Sequence, residues 1–317
     1  MANILITGGA GFVGSRVAEK LIEDKNNYVV IVDDLSTGEY GKLPSASKTN
    51  WRFVKADVNS YRAISEVMLG MQFEYVFHYA ALVGVQRTQD NPVKVLDDID
   101  GIKHVLNLCK STGVKRIFFS SSSEVYGEPV ELPQHEETTP LNSRVPYAVV
   151  KNIGESFVRS YQKEYGLEYT IFRFFNTYGP KQSKDFVMSK FINKALKNED
   201  ITMYGDGTQT RTFCYVDDNI DTCLKAMKDN LVVNDVMNVG GENEIKIIDL
   251  ARTIIKLTGS RSKIVHLPPL KEGDMVRRCP DISKMKKIIN RDLLPLEEGI
   301  QRLLDSPIFR ELNGIEG

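Results

Sequence analysis

Short apolar runs alternate with stretches of helical apolar spacing through the first half of the chain, and this predicts strands and helices in turn. Residues 3–7 (NILIT), 28–32, 51–55 and 75–78 read as strands, as do the apolar residues after Arg116 and the run 169–174. The segments between them read as helices: one running through Leu21 and Ile22, then 60–68, 93–109 and 147–165. Such alternation implies a parallel sheet with helices on both faces, and ligands of such sheets bind beyond the carboxyl ends of the strands. From Lys181 onward the alternation becomes irregular. Helices are predicted at 186–196, 216–227, 247–257 and 283–289, a short strand at 201–204, and a loose tail from Leu312 to Gly317.

The residues at the strand ends give this sheet a candidate ligand. The first run passes directly into Gly8-Gly9-Ala10-Gly11-Phe12-Val13-Gly14 and then into a helix. These glycines fit G-x-G-x-x-G as Gly9, Gly11 and Gly14, and G-x-x-G-x-x-G from Gly8. Such a turn lets the backbone approach a pyrophosphate, while the helix N-terminus supplies amide donors and a partial positive charge. The second strand leads into Asp33 and Asp34, at about the spacing of an acid that holds an adenosine ribose. A carboxylate there repels a 2′-phosphate, so NAD rather than NADP is the expected cofactor. Asp57, Ala80, Ala81 and residues 120–124 fall at later strand ends and join the same candidate site. His78 is expected to pack rather than to react.

One stretch carries candidate chemistry. Four serines, Ser120, Ser121, Ser122 and Ser123, follow the apolar Ile117, Phe118 and Phe119. Pro146 suits the first turn of a helix, where it has no amide hydrogen to lose. Tyr147 and Lys151 are four apart and share a helix face. A free tyrosine, with a pKa of ~10, is a poor base at neutral pH, and a neighbouring ammonium favours its phenolate. A strand-end serine holding a substrate hydroxyl against such a phenolate completes a general base for oxidising an alcohol. Tyr-x-x-x-Lys by itself also describes a surface lysine beside a half-buried tyrosine; the dinucleotide pattern gives it weight.

Composition narrows the classes. A chain of 317 residues, 42% hydrophobic and 26% charged, is long enough for one large or two modest domains with a sizeable core. A net charge of -1 points to neither nucleic acid nor an acidic membrane surface as partner. Cys109, Cys214, Cys223 and Cys279 are scattered without a C-x-x-C, which fits reduced thiols in a cytoplasmic protein. The four histidines lack metal-ligand spacing, so no metal is expected. No signal peptide or membrane-spanning run is read.

GGAGFVG from Gly8, Asp33, HYAA from His78, FSSSSEVYG from Phe119 and the Tyr147/Lys151 pair together resemble the extended short-chain dehydrogenase/reductase family. Within it the chain is similar to the nucleotide-sugar epimerases, dehydratases and decarboxylases. RFFNTYGP from Arg173, GDGTQTRTFCYVDD from Gly205 and VMNVGG from Val236 match that family's later motifs, so the resemblance runs through nearly the whole chain. It implies an α/β fold: a Rossmann-type doubly wound parallel sheet at 1–180 that binds NAD, and a smaller mixed α/β domain at 181–317 that binds the nucleotide sugar. A segment near 213–240 would return to the sheet. The resemblance assigns Gly8, Gly11 and Gly14, with Phe12 and Val13, to the pyrophosphate, Asp33 and Asp34 to the ribose, and Asp57 and Val58 to the adenine. Ala80, Ala81 and Ser120 line the cofactor, and Tyr147, Lys151 and Ser122 match the catalytic triad. Ser123 and Asn176 match substrate residues, Tyr204 stands where a side chain lies against the nucleotide base, and Arg211 with Arg277 or Arg278 would bind the diphosphate. It also implies a homodimer through the helices at 93–109 and 147–165. The chain departs from the family at Asp98, three before Gly101, where asparagine is usual, and in the short KQSKDF loop after Pro180.

The first step implied is oxidation of a sugar hydroxyl at C4, giving a 4-keto sugar. Its fate then branches. A 4,6-dehydratase carries Asp-Glu where this chain has Ser123-Glu124, so the acid for a leaving C6 hydroxyl is missing. A UDP-glucuronate decarboxylase reads much like 122–127, and Leu132-Pro133-Gln134 echoes its next motif, but its Tyr/Lys pair usually encloses acidic residues. A 4-epimerase needs no further acid or base, and residues 140–155 look epimerase-like, although Glu124 is unusual there. Epimerisation is the expected outcome, with decarboxylation, or release of the 4-keto sugar by a 4-dehydrogenase, as alternatives. A non-catalytic NAD-binding sensor on the same fold is the reading from another class; it would be expected to lose Tyr147 or Lys151.

Overall fold

A computed structural model describes residues 2–268 and 277–315, the side chains of Val85 and Gln86 excepted. The chain divides into two compact units: Met1–Val125 with Leu141–Phe174 and Ile220–Met237, and Tyr126–Pro140 with Phe175–Asn219 and Asn238–Gly317.

The first unit is built on β1 (Ala2–Thr7), β2 (Asn27–Asp33), β3 (Trp51–Lys55), β4 (Tyr75–His78), β5 (Arg116–Ser122) and β6 (Glu168–Phe174). They pair parallel throughout, in the order β6-β5-β4-β1-β2-β3. Burial on both faces explains why their sequences run apolar instead of alternating: Ile4, Leu5 and Ile6, and Val29, Val30, Ile31 and Val32, are all fully buried. The order reverses between β1 and β4, and a crevice opens at such a switch point, beyond the strands' carboxyl ends. A further strand, Asp235–Val239, pairs with β6 at the sheet's edge.

The helices obey the local signals. The first, α1 (Phe12–Leu21), follows the glycine turn, and α2 (Tyr61–Leu69) is capped by the Ser60 hydroxyl. The short α3 (Val85–Asp90) precedes α4 (Pro92–Thr112). Both α4 and α5 (Pro146–Tyr165) start with proline at the first turn and end at a left-handed glycine, Gly113 and Gly166, which stops the helix without steric cost. Their inner residues, such as Ile102, Val105, Val150 and Val158, join one core with Leu5, Val76 and Ile171.

The second unit holds three small sheets, in which β7 (Thr177–Tyr178), β8 (Ile201–Tyr204), β9 (Thr210–Thr212) and β10 (Cys214–Tyr215) come first. The edge strand Asp235–Val239 is β11, and β12 (Glu244–Lys246), β13 (Ile264–Leu267) and β14 (Arg277–Arg278) follow. The pairings are β10 with β7, β13 with β8, and β12-β9-β14. Helices α6 (Val187–Leu196), α7 (Val216–Lys228), α8 (Ile247–Thr258), α9 (Ser283–Ile289), α10 (Leu296–Leu304) and α11 (Pro307–Asn313) complete the chain. The expected loose tail is corrected in part: α11 takes in Leu312 and Asn313, with Ser306 as its cap and the Asn313 amide donating to the Phe309 carbonyl at 2.8 Å. Residues 316 and 317 lie outside the described residues. No helix among the described residues is long and apolar enough to cross a membrane.

Candidate active site

In the first unit the expected dinucleotide residues converge at the switch point. Gly8 stands at φ +70° and donates its N–H to the Val32 carbonyl at 2.8 Å. A Cβ there would lie 2.6 Å from the Ala80 nitrogen, so only glycine lets β1 turn so close to the end of β4. Gly11 caps α1 with extended backbone, and the first turn of that helix carries no acidic side chain. An anion therefore meets amide dipoles without a competing carboxylate on the helix. Asp33 ends β2, its Oδ2 accepting the Ala10 N–H at 3.0 Å and its Oδ1 the Leu35 N–H at 2.8 Å. Burial pushes its carboxyl up, and the two backbone bonds offset part of that rise. Asp34 is exposed and accepts the Ser36 N–H at 2.8 Å. Asp57 accepts the Asn59 N–H at 2.8 Å beside the buried Val58. Ala80 donates its N–H to the Thr7 hydroxyl at 3.3 Å, and that hydroxyl bonds the His78 Nδ1 at 2.8 Å. Burial and then the Lys151 charge pull His78 down to about 3, so it stays neutral, as a packing residue would. The glycine cradle, the open helix end and the strand-end acid fit a dinucleotide.

The reactive residues lie on β5, the turn after it, and α5. Ser120 and Ser122 end β5, and the Ser122 hydroxyl accepts the Glu124 N–H at 3.2 Å. Ser123 is buried and opens a 3-10 turn, Ser123–Tyr126, which holds Glu124 half-buried. Tyr147 is half-buried in the first turn of α5, and Lys151, one turn on, is only 3% exposed. The Lys151 Nζ lies 5.3 Å from the Phe119 ring centre and 5.8 Å from that of Tyr147. Burial draws Lys151 down to about 8, against the pull of the Asp98 carboxylate. Helix α5 runs hard against β5, since a Cβ on Gly154 would fall 2.2 Å from the Phe119 ring.

A buried ionic clamp that the sequence reading did not identify fixes this pair of elements. The Glu155 carboxylate accepts the Ser121 hydroxyl at 2.6 Å and takes two bonds from Arg173 on β6, at 2.9 and 2.7 Å. Arg159 adds an ion pair at 3.3 Å. Burial alone would raise Glu155, but Arg173, Ser121 and Arg159 hold its carboxyl below the usual range. The clamp ties β5, which carries Ser122, to the helix that carries Tyr147 and Lys151. Its signal lay in the spacing: Glu155 follows Lys151 by four and so lies on the same inward face. A carboxylate on that face needs a partner.

In the second unit Asn176 has φ +29° and donates its side-chain amide to the Thr212 carbonyl at 2.9 Å. Arg211 on β9 and Arg278 on β14 are both buried and sit opposite each other in the parallel register. Two guanidiniums at one register position concentrate positive charge on one face of this small sheet. Arg277 is held elsewhere, donating to both oxygens of Glu244 at 3.0 and 2.5 Å. Tyr204 ends β8 partly exposed, with the Lys190 Nζ 5.9 Å from its ring centre. All four cysteines are free thiols. Among the described residues no group of three or more His, Cys, Asp or Glu is placed to hold a metal ion.

The chain is similar to known proteins along nearly its whole length. Residues 4–240 match the family model described as NAD dependent epimerase/dehydratase family. A putative UDP-glucose 4-epimerase of Methanocaldococcus jannaschii is 36% identical over 308 residues, covering 95% of this chain and 97% of that protein. A UDP-N-acetyl-alpha-D-glucosaminuronate decarboxylase of Bacillus cytotoxicus is 36% identical over 324 residues, covering 97% of this chain and 98% of that protein. Among solved structures, the UDP-glucose 4-epimerase of Thermotoga maritima with UDP-glucose superposes with a TM-score of 0.90 at 32% identity, covering 98% of this chain and 99% of the other.

Proposed function

This chain belongs to the NAD dependent epimerase/dehydratase family and is an NAD-dependent enzyme of nucleotide-sugar modification; from that premise we propose that it oxidises C4 of a nucleotide-activated sugar and that the net result is 4-epimerisation. The observation that carries the proposal is Lys151, a buried ammonium one helical turn from Tyr147, on a helix packed against the serine-bearing end of β5. Gly8, Gly11 and Asp33 would hold NAD, together with the amides of the first turn of α1. Bound there, NAD supplies the hydride acceptor for the sugar's C4. Ser122 holds the C4 hydroxyl, and Tyr147, as its phenolate, takes the proton. Lys151 keeps the phenolate favoured by its charge. Arg211 and Arg278 take the diphosphate, Asn176 the adjoining sugar and Tyr204 the nucleotide base.

The similarity to proteins named as UDP-glucose 4-epimerases supports the epimerase outcome. Glu124 on the turn after Ser122, with the similarity to a UDP-sugar acid decarboxylase, supports decarboxylation as the second reading. The reading includes a homodimer through α4 and α5, supported by the exposed Val93, Leu96 and Tyr165 on those helices, and a cytoplasmic location, supported by the free cysteines. A panel of UDP-, GDP- and dTDP-sugars, incubated without added NAD and read by product mass and sugar analysis, tests the outcome. A product of unchanged mass with inverted C4 supports epimerisation, and one lighter by carbon dioxide supports decarboxylation. A product lighter by two hydrogens means that the 4-keto sugar is released, and no product from any sugar contradicts the proposal.

A further inference from the structure

The stretch between the reactive turn and α5 closes on itself. At its base the Val125 carbonyl accepts the Ser143 N–H at 3.4 Å. That bond brings the end of the Ser123–Tyr126 turn beside the residues that lead into Pro146 and Tyr147. Residues 126–142 are thus a loop whose two ends meet. The loop has bonds of its own: the Glu131 carboxylate accepts the hydroxyls of Thr138 and Thr139 at 2.9 and 2.5 Å, and the His135 N–H donates to the Thr139 hydroxyl at 2.7 Å.

Asn238, on β11, holds the body of this loop. Its Oδ1 accepts the Tyr126 hydroxyl at 2.7 Å. Its Nδ2 donates to the Gln134 carbonyl at 2.9 Å and to the Asp281 carbonyl at 3.2 Å, and its backbone N–H donates to the Glu136 carboxylate at 2.9 Å. Gln134 is bracketed in turn, its N–H donating to the Cys279 carbonyl and its carbonyl accepting the Asp281 N–H, both at 2.8 Å. Tyr126, Gln134 and Asn238 are all fully buried. Both donors and the acceptor oxygen of the Asn238 side chain find partners, a set that aspartate, serine or leucine cannot reproduce. The bond to Tyr126 falls on the last residue of the turn that carries Ser123 and Glu124. Near the other end of that turn the Ser122 hydroxyl accepts the Glu124 N–H at 3.2 Å. The turn is therefore held from both sides, once by the serine read as holding the C4 hydroxyl and once, through Tyr126, by Asn238.

We propose that Asn238 is a positioning residue for the reaction: through the Tyr126 hydroxyl and the Gln134 carbonyl it locks the 126–142 loop, and so fixes the Ser123–Tyr126 turn on which Ser123 and Glu124 are presented. The inference rests on the proposed reading of this turn as part of the reacting site. Asn238 acts through Tyr126 and touches neither sugar nor cofactor.

The test reads hydrogen exchange over Ser122–Tyr126 by mass spectrometry in the full-length, NAD-bound protein, beside kcat and KM. Turnover is measured with UDP-glucose, or with the sugar of the panel that the wild type converts. Tyr126→Phe removes the hydroxyl that meets Asn238 and leaves the bonds of Gln134 and Asp281, next to Arg278, in place. Exchange over the turn should rise about tenfold, the scale of one lost buried hydrogen bond. The value of kcat should fall roughly tenfold, because a small misplacement at a reacting centre is costly, while KM changes little. Asn238→Ala should do at least as much, and adding Tyr126→Phe to it should change nothing further, since the partner is already gone. Should Asn238→Ala fail to fold, Tyr126→Phe alone decides. Damage to folding alone would lower the yield of active protein without a rise in exchange confined to this turn and without a change in kcat per bound NAD. Unmoved exchange over the turn overturns the proposal whatever the activity does, as does a loss that adds in the double variant. Faster exchange with unchanged kcat overturns it through its premise, because the turn would then not belong to the reacting site. A wild type that converts no sugar of the panel contradicts the proposed function and takes this role with it.

Discussion

Replacing Lys151 with methionine should make the protein more stable and less active at once. The fall of this lysine from its ordinary 10.5 to about 8, driven by burial, measures what it costs to keep an ammonium there. At ~1.4 kcal/mol per unit that cost is about 3 kcal/mol, a large share of a typical domain's stability. The cost is present in full below pH 8. Between 8 and 10.5 the unfolded chain holds a proton that the folded one has released, so the stability of the native protein rises with pH across that window. Methionine fills similar space without charge, so Lys151→Met should gain up to about 3 kcal/mol near neutral pH, with the gain shrinking as the solution turns alkaline. The full figure is a ceiling, because Asp98 loses the ammonium that favours its charged form and takes back part of the gain. Urea unfolding of dinucleotide-free protein at about pH 7 and about pH 9.5, wild type beside variant, reads both the size and the pH dependence. A variant less stable than wild type near neutrality, or a gain that does not change with pH, would refute the reasoning.

Four further outcomes follow from the same geometry. Tyr147→Phe should keep the fold and lose roughly 10²–10⁴ in turnover, the usual contribution of a positioned general base, as steady-state rates and circular dichroism together would show. Glu155→Gln leaves the buried Arg173 without its carboxylate and should cost roughly 3 kcal/mol in denaturant unfolding. Because the folded Glu155 is held below its ordinary value of 4.5, the stability it contributes is present above that pH and lost as pH falls, so the wild-type advantage should vanish in acid. Gly8→Ala should weaken NAD binding, read by dinucleotide content after purification, since its Cβ meets the backbone of Ala80. Arg278→Gln should raise KM for the nucleotide sugar at least tenfold, whereas Arg277→Gln, which breaks only a partly exposed pair with Glu244, should change KM little.

Much of the first unit was legible because its signals are local. Apolar runs gave five of the six parallel strands to within a residue at each end, while β5 runs three residues past the apolar Phe119, to Ser122. Pro146 and the glycines Gly8 to Gly14 mark turns whose geometry few other residues allow. Helices α6 to α9 and the strand β8 were legible for the same reason, but α10, α11 and the pairing of the three small sheets were not. Their strands are two to four residues long, too short for a period to show, and they pair across long separations: Arg211 meets Arg278 through a register that no local pattern encodes. The Glu155–Arg173 clamp was half legible, the helix face being readable from spacing and the partner not. Asp98 stood out in the sequence as a departure from the family's asparagine; only the fold gives it Leu82 and Asn59 as partners.

The most direct test of the account is the fate of the hydrogen at C4. A UDP-sugar carrying deuterium at C4, turned over by the wild-type protein without added NAD, should give a product that keeps the deuterium at C4. The rate should fall relative to the protium substrate, and both the transfer and the isotope effect should be lost in Tyr147→Phe. A product that exchanges this deuterium with solvent, or turnover by Tyr147→Phe at the wild-type rate, would contradict the claim that Tyr147 and Lys151 drive hydride transfer from that carbon.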